Sequence, residues 1–320
     1  MLLALLAIVT GLVILVWSAD KFVIGAAATA RHFGMSPLLV GMTIVAMGTS
    51  APEMFVSTMA AIDGAGNLAI GNAIGSNIVN IGLVLGFTAM LAPLPIQGKM
   101  LRKEIPILLL VTVIAGLVIQ DLILSFWDAI IMFSCMVVTL YWLFREEAEA
   151  GIEVMDAEEA EEIEHTSGKM AALWLIAGLA LLMLSSKMLV WGAVEVATFF
   201  GVNELIIGLT IVAVGTSLPE FAATLASARK GHHDIAIGNV VGSNIFNLLA
   251  VMPIPGLFGN LAIQPAALYR DYSMMLAITL VLVVFIYAFR QSGKVGRGAG
   301  FALFGGYLAY TAYLISQAQV

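Results

Sequence analysis

The sequence predicts an all-α polytopic membrane protein in which ten transmembrane helices form two inverted-topology five-helix repeats. Three observations carry this prediction. The 320 residues are 61% hydrophobic and only 11% charged, with a mean hydropathy of +1.02. Apolar stretches long enough to cross about 30 Å of hydrocarbon recur along the whole chain. The two halves of the chain also repeat each other without a gap. The continuous apolar runs exclude a membrane β-barrel, whose strands alternate apolar and polar residues.

Charged residues, glycines and prolines divide the chain into ten apolar spans. These spans lie near residues 2–27, 36–61, 68–92, 103–120, 124–144, 169–194, 203–228, 234–258, 270–290 and 298–318. The segment between the fifth and sixth spans is polar, acidic and too short to form a domain. The predicted organisation is a first five-helix repeat over 1–144, an acidic linker over 145–168 and a second five-helix repeat over 169–320.

The basic residues of the loops predict how the helices are oriented. Apart from Arg270, they fall on one face of the ten predicted spans: Arg31, Lys99, Arg102, Lys103, Arg145, Lys169, Arg229, Lys230, Arg290, Lys294 and Arg297. The positive-inside rule makes this face cytoplasmic. Both termini are therefore expected to be extracytoplasmic in the inner (plasma) membrane, with the acidic linker inside. The first apolar run has no basic n-region or small-residue cleavage site, so we interpret it as a transmembrane helix.

The internal repeat has an offset of 167 residues. Residues 33–53 and 200–220 are identical at 13 of 21 positions, and residues 69–80 and 236–247 at 9 of 12. Weaker equivalences pair Lys103–Glu104 with Arg270–Asp271, which we interpret as interfacial anchors. Because each repeat has an odd number of spans, the second must enter the membrane in the opposite orientation. Inverted repeats of this kind are typical of secondary transporters with a site at the midplane.

The strongest pair of motifs reads "GTSAPE" at 48–53 and "GTSLPE" at 215–220. A proline inside a helix frees the carbonyl four residues back, so helix breaks are expected near Gly48 and Gly215. A freed carbonyl at membrane depth survives only in contact with protein or a polar cavity. Glu53 and Glu220 follow directly, and an ionised carboxylate there costs about 2.5–3.5 kcal/mol without a partner. Together these groups predict a cluster of hard oxygen ligands.

A second pair of motifs, "GNAIGSNIVN" and "GNVVGSNIFN", supplies further polar groups. Asn72, Ser76 and Asn80 are spaced four residues apart and share one helix face, as do their counterparts Asn239, Ser243 and Asn247. If the halves meet pseudo-symmetrically, these side chains converge with the two glutamates. Oxygen-only coordination of this kind suits Ca²⁺ or Na⁺. No His/Cys set points to zinc or copper, and no nucleophile–base pair points to an enzyme.

These motifs, in this order and spacing, resemble the calcium/cation antiporter superfamily, and closely the prokaryotic sodium/calcium exchangers. The resemblance covers essentially the whole chain and implies a fold of ten helices in two inverted halves. It implies that Glu53 and Glu220 are the central carboxylates that bind Ca²⁺ and Na⁺. It also implies a set of accompanying oxygen donors: the carbonyls and hydroxyls of Ala46, Thr49, Ser50, Ala213, Thr216 and Ser217, the hydroxyls of Ser76 and Ser243, and the amides of Asn80 and Asn247.

Some relatives in the superfamily carry aspartate at the position of Asn247, and there it accompanies K⁺ dependence. The asparagine in this chain implies two site carboxylates rather than three, and K⁺-independent exchange. The expected function is therefore a secondary antiporter that exchanges Na⁺ for Ca²⁺ by alternating access, with the first and sixth spans sliding over the core. The expected partners are the two ions and the lipid bilayer, without nucleic acid or cofactor. A monomer is sufficient for this function, and the sequence leaves the oligomeric state open.

Two other functions remain open from the sequence. A H⁺/Ca²⁺ antiporter of the same superfamily would use Glu53 or Glu220 to carry protons and would have no Na⁺ requirement. A cation channel would conduct without counter-ion saturation, although a single site built from inverted halves favours a transporter.

Overall fold

The computed structural model describes residues 1–96, 103–150, 167–202, 207, 211, 213–288 and 294–318. This part of the chain is mostly helical. Its helices are α1 (Leu2–Phe33), α2 (Pro37–Thr49), α3 (Ala51–Ile62), α4 (Gly66–Leu91), α5 (Glu104–Ile119), α6 (Phe126–Ala150), α7 (Gly168–Phe199), α8 (Ala213–Thr216), α9 (Leu218–Arg229), α10 (His233–Phe258), α11 (Ala267–Ala288) and α12 (Arg297–Ala318). Four two-residue strands complete it: β1 (Leu94–Pro95), β2 (Ile123–Leu124), β3 (Leu261–Ala262) and β4 (Lys294–Val295).

Within the described ranges, seven helices are long and apolar enough to cross a membrane. The helices α2 and α3 pass the same test of length and composition when they are taken together, with a bend of 42° at the break between them. Helix α5 has 16 residues and is equally apolar, but it is shorter than a typical spanning helix. The chain is thus a membrane protein with multiple apolar helices. Within the described residues each predicted span coincides with a helix or helix pair; residues 203–206, 208–210 and 212 of the seventh span and 289–290 of the ninth lie outside the described residues.

Local sequence signals account for several helix ends. Gly34 closes α1 in the left-handed conformation, with φ of 62°, which glycine adopts without steric cost. Ser36 then caps α2 by accepting a hydrogen bond from the backbone N–H of Leu39 at 3.2 Å, and Pro37 occupies the first helical position. At the start of α6, Asp128 Oδ2 accepts from the backbone N–H of Ser125 at 2.8 Å.

The helix boundaries repeat with the same offset as the sequence. Helix α3 spans 51–62 and α9 spans 218–229; the regular part of α4 spans 66–79 and that of α10 spans 233–246. Both α4 and α10 then widen into a π-helical turn that begins at an asparagine, Asn80 or Asn247. This wide turn interrupts the regular backbone hydrogen bonds of the α-helix at equivalent positions in the two halves.

Helices α4 and α10 lie at the centre of the molecule, since α10 is buried along its whole apolar window and α4 along 72% of it. The long helices α1 and α7 pack against each other at one side. A Cβ atom on Gly178 of α7 would lie 2.8 Å from Phe22 Cα of α1, so glycine is needed for this approach. Large apolar side chains on the outer faces of α1, α6 and α7 are exposed, as expected of surfaces that contact lipid.

Two pairs of short strands connect the two halves, and one cluster of charged and polar side chains connects two neighbouring helices. Strand β1 pairs with β4, and β2 pairs with β3, so each pair joins one half to the other. Arg270 and Asp271, predicted as an interfacial anchor, form a two-bond ion pair with distances of 2.6 and 3.1 Å. The hydroxyl of Tyr310 on α12 donates to Asp271 Oδ1 at 2.6 Å, which ties α11 to α12.

Candidate functional site

The two "GTS-x-PE" motifs form helix breaks, as the sequence predicts. The break in the first half falls at Ser50, with φ −82° and ψ 3°, and the break in the second falls at Ser217, with φ −90° and ψ 10°. The helix after each break, α3 or α9, has a proline as its second residue and a glutamate as its third. Glu53 and Glu220 therefore lie in the first turn of these helices. The unpaired N–H groups of a first turn favour a carboxylate there.

Both glutamates are fully buried between the two halves, and they are close enough to repel each other. Ser50 Oγ of the first half donates to Glu220 Oε1 of the second at 3.2 Å. Ser76 and Ser217 lie beside the carboxylate of Glu53. Both oxygens of Glu53 and Glu220 Oε2 nevertheless have no hydrogen-bond partner among the described residues. Buried carboxylates are costly unless a partner or a cation compensates them.

The asparagines of α4 and α10 fix the backbone of the glutamates. Asn239 Nδ2 donates to the carbonyl of Glu220 at 3.3 Å and to Thr224 Oγ1 at 2.9 Å. In the first half, Asn72 Nδ2 donates to the carbonyl of Glu53 at 3.2 Å and to Ser57 Oγ at 3.3 Å. The two arrangements are equivalent, so each central helix holds the helix that carries the glutamate of its own half.

Thr49 connects the halves near this point. Its Oγ1 lies 3.1 Å from Asn239 Oδ1, and it is also close to the carboxylate of Glu220. Its longer contact, 3.4 Å, is to the carbonyl of Ala46, which also accepts the N–H of Ser50 at 2.9 Å. The Ala46 carbonyl therefore lies at the break, where it accepts hydrogen bonds from its own helix.

The remaining predicted donors lie on the same central helices. Ser76 and Asn80 on α4 and Ser243 and Asn247 on α10 are all buried. The hydroxyl of Ser243 and both side-chain polar atoms of Asn80 and Asn247 have no hydrogen-bond partner in the described structure. A buried polar atom without a partner is rare and calls for an explanation. The unpartnered oxygens among them, the hydroxyl of Ser243 and the amide oxygens of Asn80 and Asn247, are of the kind that coordinates hard cations.

The second half of the predicted set is only partly described. Thr216 is half-buried, and Ser217 is buried with an unpartnered hydroxyl. Ala213 begins α8, and its side chain lies outside the described residues. Among the residues that are described, no group of three or more His, Cys, Asp or Glu side chains comes together. The carboxylate charge of the site therefore comes from Glu53 and Glu220.

Sequence reasoning missed Ser57 and Thr224, the second partners of Asn72 and Asn239. It also missed Asn77, whose Nδ2 donates to the carbonyl of Asn244 at 3.3 Å across the 167-residue offset. A signal was present, because Ser57 and Thr224 are equivalent in the repeat and lie four residues after the glutamates. A search for polar residues that occupy equivalent positions of the two repeats in otherwise apolar helices would have identified both Ser57 and Thr224.

The two halves of the site are packed differently despite their similar sequences. Gly238 and Gly242 on α10 are buried against α2, whereas the equivalent Gly71 is exposed and Gly75 is half-buried. Asn239 is fully buried and Asn72 only partly. Among the described residues, α2 therefore covers α10 along these glycines, whereas most of the repeat equivalent of α2 lies outside the described residues.

Comparisons with known proteins agree with this geometry. The sequence profile of a family described as sodium/calcium exchanger protein matches residues 3–145 and 170–316. The chain is 42% identical to the putative antiporter CaxA of Alkalimonas amylolytica over 99% of this chain and 100% of that one. It is 40% identical to the inner membrane protein YrbG of Escherichia coli K12 over 98% and 97%. Solved structures of the sodium-calcium exchanger NCX_Mj are similar, with a TM-score of 0.83, 30% identity and coverage of 98% of both chains.

Proposed function

The chain belongs to the sodium/calcium exchanger protein family, and from this premise we propose that it exchanges Na⁺ for Ca²⁺ across the membrane at one site. The observation that carries the proposal is the meeting of Glu53 and Glu220. The two carboxylates are buried between the halves, and three of their four oxygens have no hydrogen-bond partner among the described residues. Such a pair needs positive charge, and the hydroxyls of Ser50, Ser76 and Ser217 lie beside it.

The charge of the site supports exchange rather than one-way transport. Two ionised carboxylates carry a charge of about −2, which one Ca²⁺ neutralises and which Na⁺ ions neutralise as well. Both cargo ions compete for Glu53 and Glu220, so the binding of one expels the other. A site that holds neither ion leaves two carboxylates repelling each other, and this state resists the change of access. Movement is therefore coupled to ion occupancy.

The proposed architecture is ten transmembrane helices in two inverted five-helix repeats, 1–144 and 169–320, joined by the linker 145–168. The repeated boundaries of α3 and α9, and of α4 and α10, support it. The basic loop residues support an orientation in the inner membrane with both termini extracytoplasmic. The packing of α1 on α7 at one side of the core supports these helices as the moving pair. No neighbouring copy is required for the site, because both glutamates belong to one chain.

The proposed ligands of the transported ions are the twelve residues identified from the motifs. Glu53 and Glu220 bind both ions. The accompanying donors are Asn80, Asn247, Ser76, Ser243, Thr49, Thr216, Ser50, Ser217 and the carbonyls of Ala46 and Ala213. The burial of Asn247 beside the site, as an amide rather than a carboxylate, supports K⁺ independence.

The direct test is ⁴⁵Ca²⁺ uptake by proteoliposomes loaded with Na⁺ or with choline at matched pH. Uptake that requires internal Na⁺ is expected. Uptake that is independent of the Na⁺ gradient and is driven by a proton gradient would instead indicate H⁺/Ca²⁺ antiport. Ca²⁺ conductance without either counter-ion would assign a channel.

The site is tested by Glu53→Gln and Glu220→Gln, each of which is expected to abolish exchange. Each substitution keeps the shape of the side chain and removes one of the two charges that balance Ca²⁺. Glu195→Gln is the matched control, because Glu195 is an exposed glutamate on α7 away from the site. Retained exchange in either site variant, with folded protein in the membrane, would remove that residue from the proposed site.

A further inference from the structure

A large apolar groove lies between α5 and α6, on the outside of the helix bundle. Its volume is about 880 Å³, and almost all of its surface is apolar. It lies away from Glu53 and Glu220, and no residue proposed for ion binding lines it. The volume falls within the roughly 300–1,000 Å³ of pockets that hold small molecules. Its lining residues all belong to the described part of the chain.

Two helical stripes form the walls of the groove. On α5 and the residue before it, Lys103, Ile107 and Ile114 follow each other at helical spacing. On α6, the corresponding stripe includes Ile131, Val138 and Trp142. The helices are antiparallel, so Lys103 and Trp142 lie at one end, and Ile114 and Ile131 lie at the other. The groove therefore runs along the helices rather than across them.

The length of the groove corresponds to one leaflet of a bilayer. The eleven steps from Lys103 to Ile114 rise about 16 Å along a helix, at 1.5 Å per residue. Half of a hydrocarbon core of about 30 Å is about 15 Å. The groove thus begins at one membrane interface and ends near the midplane, which is the depth that a single acyl chain occupies.

The end of the groove at the interface carries one positive charge among its lining residues. Lys103 is the charged residue that lines it, and Trp142 has the amphipathic ring typical of the interfacial belt. Arg145 follows Trp142 by three residues on α6, and the acidic run that begins at Glu146 lies beyond it along the chain. Basic pockets between transmembrane helices attract the head groups of anionic lipids.

We propose that this groove binds an anionic phospholipid, with one acyl chain between α5 and α6 and the head-group phosphate at Lys103. The apolar walls, the depth of one leaflet and the basic end together match this class of molecule. A second protein helix would need a groove that continues across the whole hydrocarbon core. The site is distinct from the exchange site, and the inference does not depend on which ions are transported.

The test uses the purified full chain in nanodiscs that contain phosphatidylglycerol or phosphatidylcholine with a photoactivatable diazirine in the acyl chain. Adducts are mapped to peptides by mass spectrometry. Phosphatidylglycerol is expected to label 103–114 and 130–142 about fivefold more than phosphatidylcholine, the ratio that corresponds to about 1 kcal/mol for one lysine at the membrane surface. Lys103→Gln is expected to reduce the labelling by phosphatidylglycerol to the level of phosphatidylcholine.

Two matched pairs of variants separate binding from folding. Ser134→Trp fills the groove and is expected to reduce labelling, whereas Val137→Trp adds the same bulk on an exposed face outside it. The hydroxyl of Ser134 bonds only within α6, to the carbonyl of Ile130 at 2.7 Å, so its loss breaks no bond between helices. Arg270→Gln, at the repeat equivalent of Lys103, is expected to leave groove labelling unchanged.

Three results would overturn the proposal. Equal labelling by the two lipids would show contact with hydrocarbon only. Adducts spread evenly over α1, α6 and α12 would show an ordinary lipid-facing surface. Crosslinks between two protomers through α5 or α6, with no lipid adduct in the groove, would show that a second copy of the chain occupies it.

Discussion

Alanine substitution at two equivalent glycines is expected to have opposite effects on the conformational equilibrium. Gly242 on α10 and Gly75 on α4 occupy the same position of the repeat. A Cβ atom on Gly242 would lie 2.7 Å from Ala46 Cβ and would also collide with the backbone of Met42. No atom of the described residues lies within 4 Å of a Cβ atom on Gly75. Among the described residues, the first substitution therefore meets a close contact and the second does not.

The size of the effect follows from packing. Overpacking a tight contact costs about 1–3 kcal/mol, whereas alanine is favoured over glycine inside a helix by about 1 kcal/mol. Gly242→Ala should therefore destabilise this conformation by up to about 2 kcal/mol. Gly75→Ala should leave it unchanged or slightly stabilised. If alternating access exchanges the packing of the two halves, Gly75 enters the tight contact in the other state. Gly75→Ala then penalises that state by about 1–3 kcal/mol, or about 5- to 150-fold in its population.

Two measurements test this reasoning. Thermal unfolding in detergent should show a lower midpoint for Gly242→Ala and an unchanged or higher one for Gly75→Ala. Initial rates of Na⁺-dependent ⁴⁵Ca²⁺ uptake should fall at least fivefold for Gly75→Ala at matched protein amounts. Wild-type exchange by Gly75→Ala would refute the reasoning, because it would mean that α4 never adopts the close packing of α10. An unchanged unfolding midpoint for Gly242→Ala would show that α2 and α10 can move apart to fit the added methyl group at little cost in free energy.

Three further predictions concern single side chains. Asn239→Ala should weaken Ca²⁺ binding at least tenfold, because it releases the Glu220 carbonyl, and Thr224→Val should have a smaller effect. Ca²⁺ titration of exchange measures both, and equal effects of the two substitutions would contradict this ranking. Asn247→Asp makes the charge of the site about −3, so one more cation should be transported in each exchange cycle. The expected readout is a steeper Na⁺ dependence or a new K⁺ requirement. An unchanged ion dependence would place Asn247 outside the site. Tyr310→Phe should lower stability by about 1 kcal/mol through the lost bond to Asp271, with unchanged ion affinity in flux assays.

The sequence predicted the parts of the fold that depend on composition and repetition. Apolar runs indicated the helices, and prolines indicated the breaks before Glu53 and Glu220. The shared face of Asn72, Ser76 and Asn80 followed from helical spacing. The sequence predicted that the glutamates converge if the halves meet pseudo-symmetrically, and Ser50 of the first half does contact Glu220 of the second. These features need only local geometry and one symmetry operation.

Other features depend on long-range packing and were not predictable in this way. The π-helical turn after Asn80 depends on how α4 fits its neighbours, since no proline or glycine pattern marks it. The contact between Thr49 and Asn239 joins residues 190 positions apart and requires the relative placement of α2 and α10. The strand pairs β1–β4 and β2–β3 are only two residues long, too short for a periodic sequence signal.

The unequal packing of the two halves could not have been predicted even in principle from the repeat alone. Segments that are identical at 9 of 12 positions, 69–80 and 236–247, have one exposed glycine and one buried glycine at equivalent places. Near-identical sequences in different surroundings imply that the same segment is compatible with both arrangements. For an exchanger this compatibility is required, because each half must be able to close while the other opens. On the exchange mechanism that we propose, the structure is one of two conformations, and Gly75→Ala tests whether the other one forms.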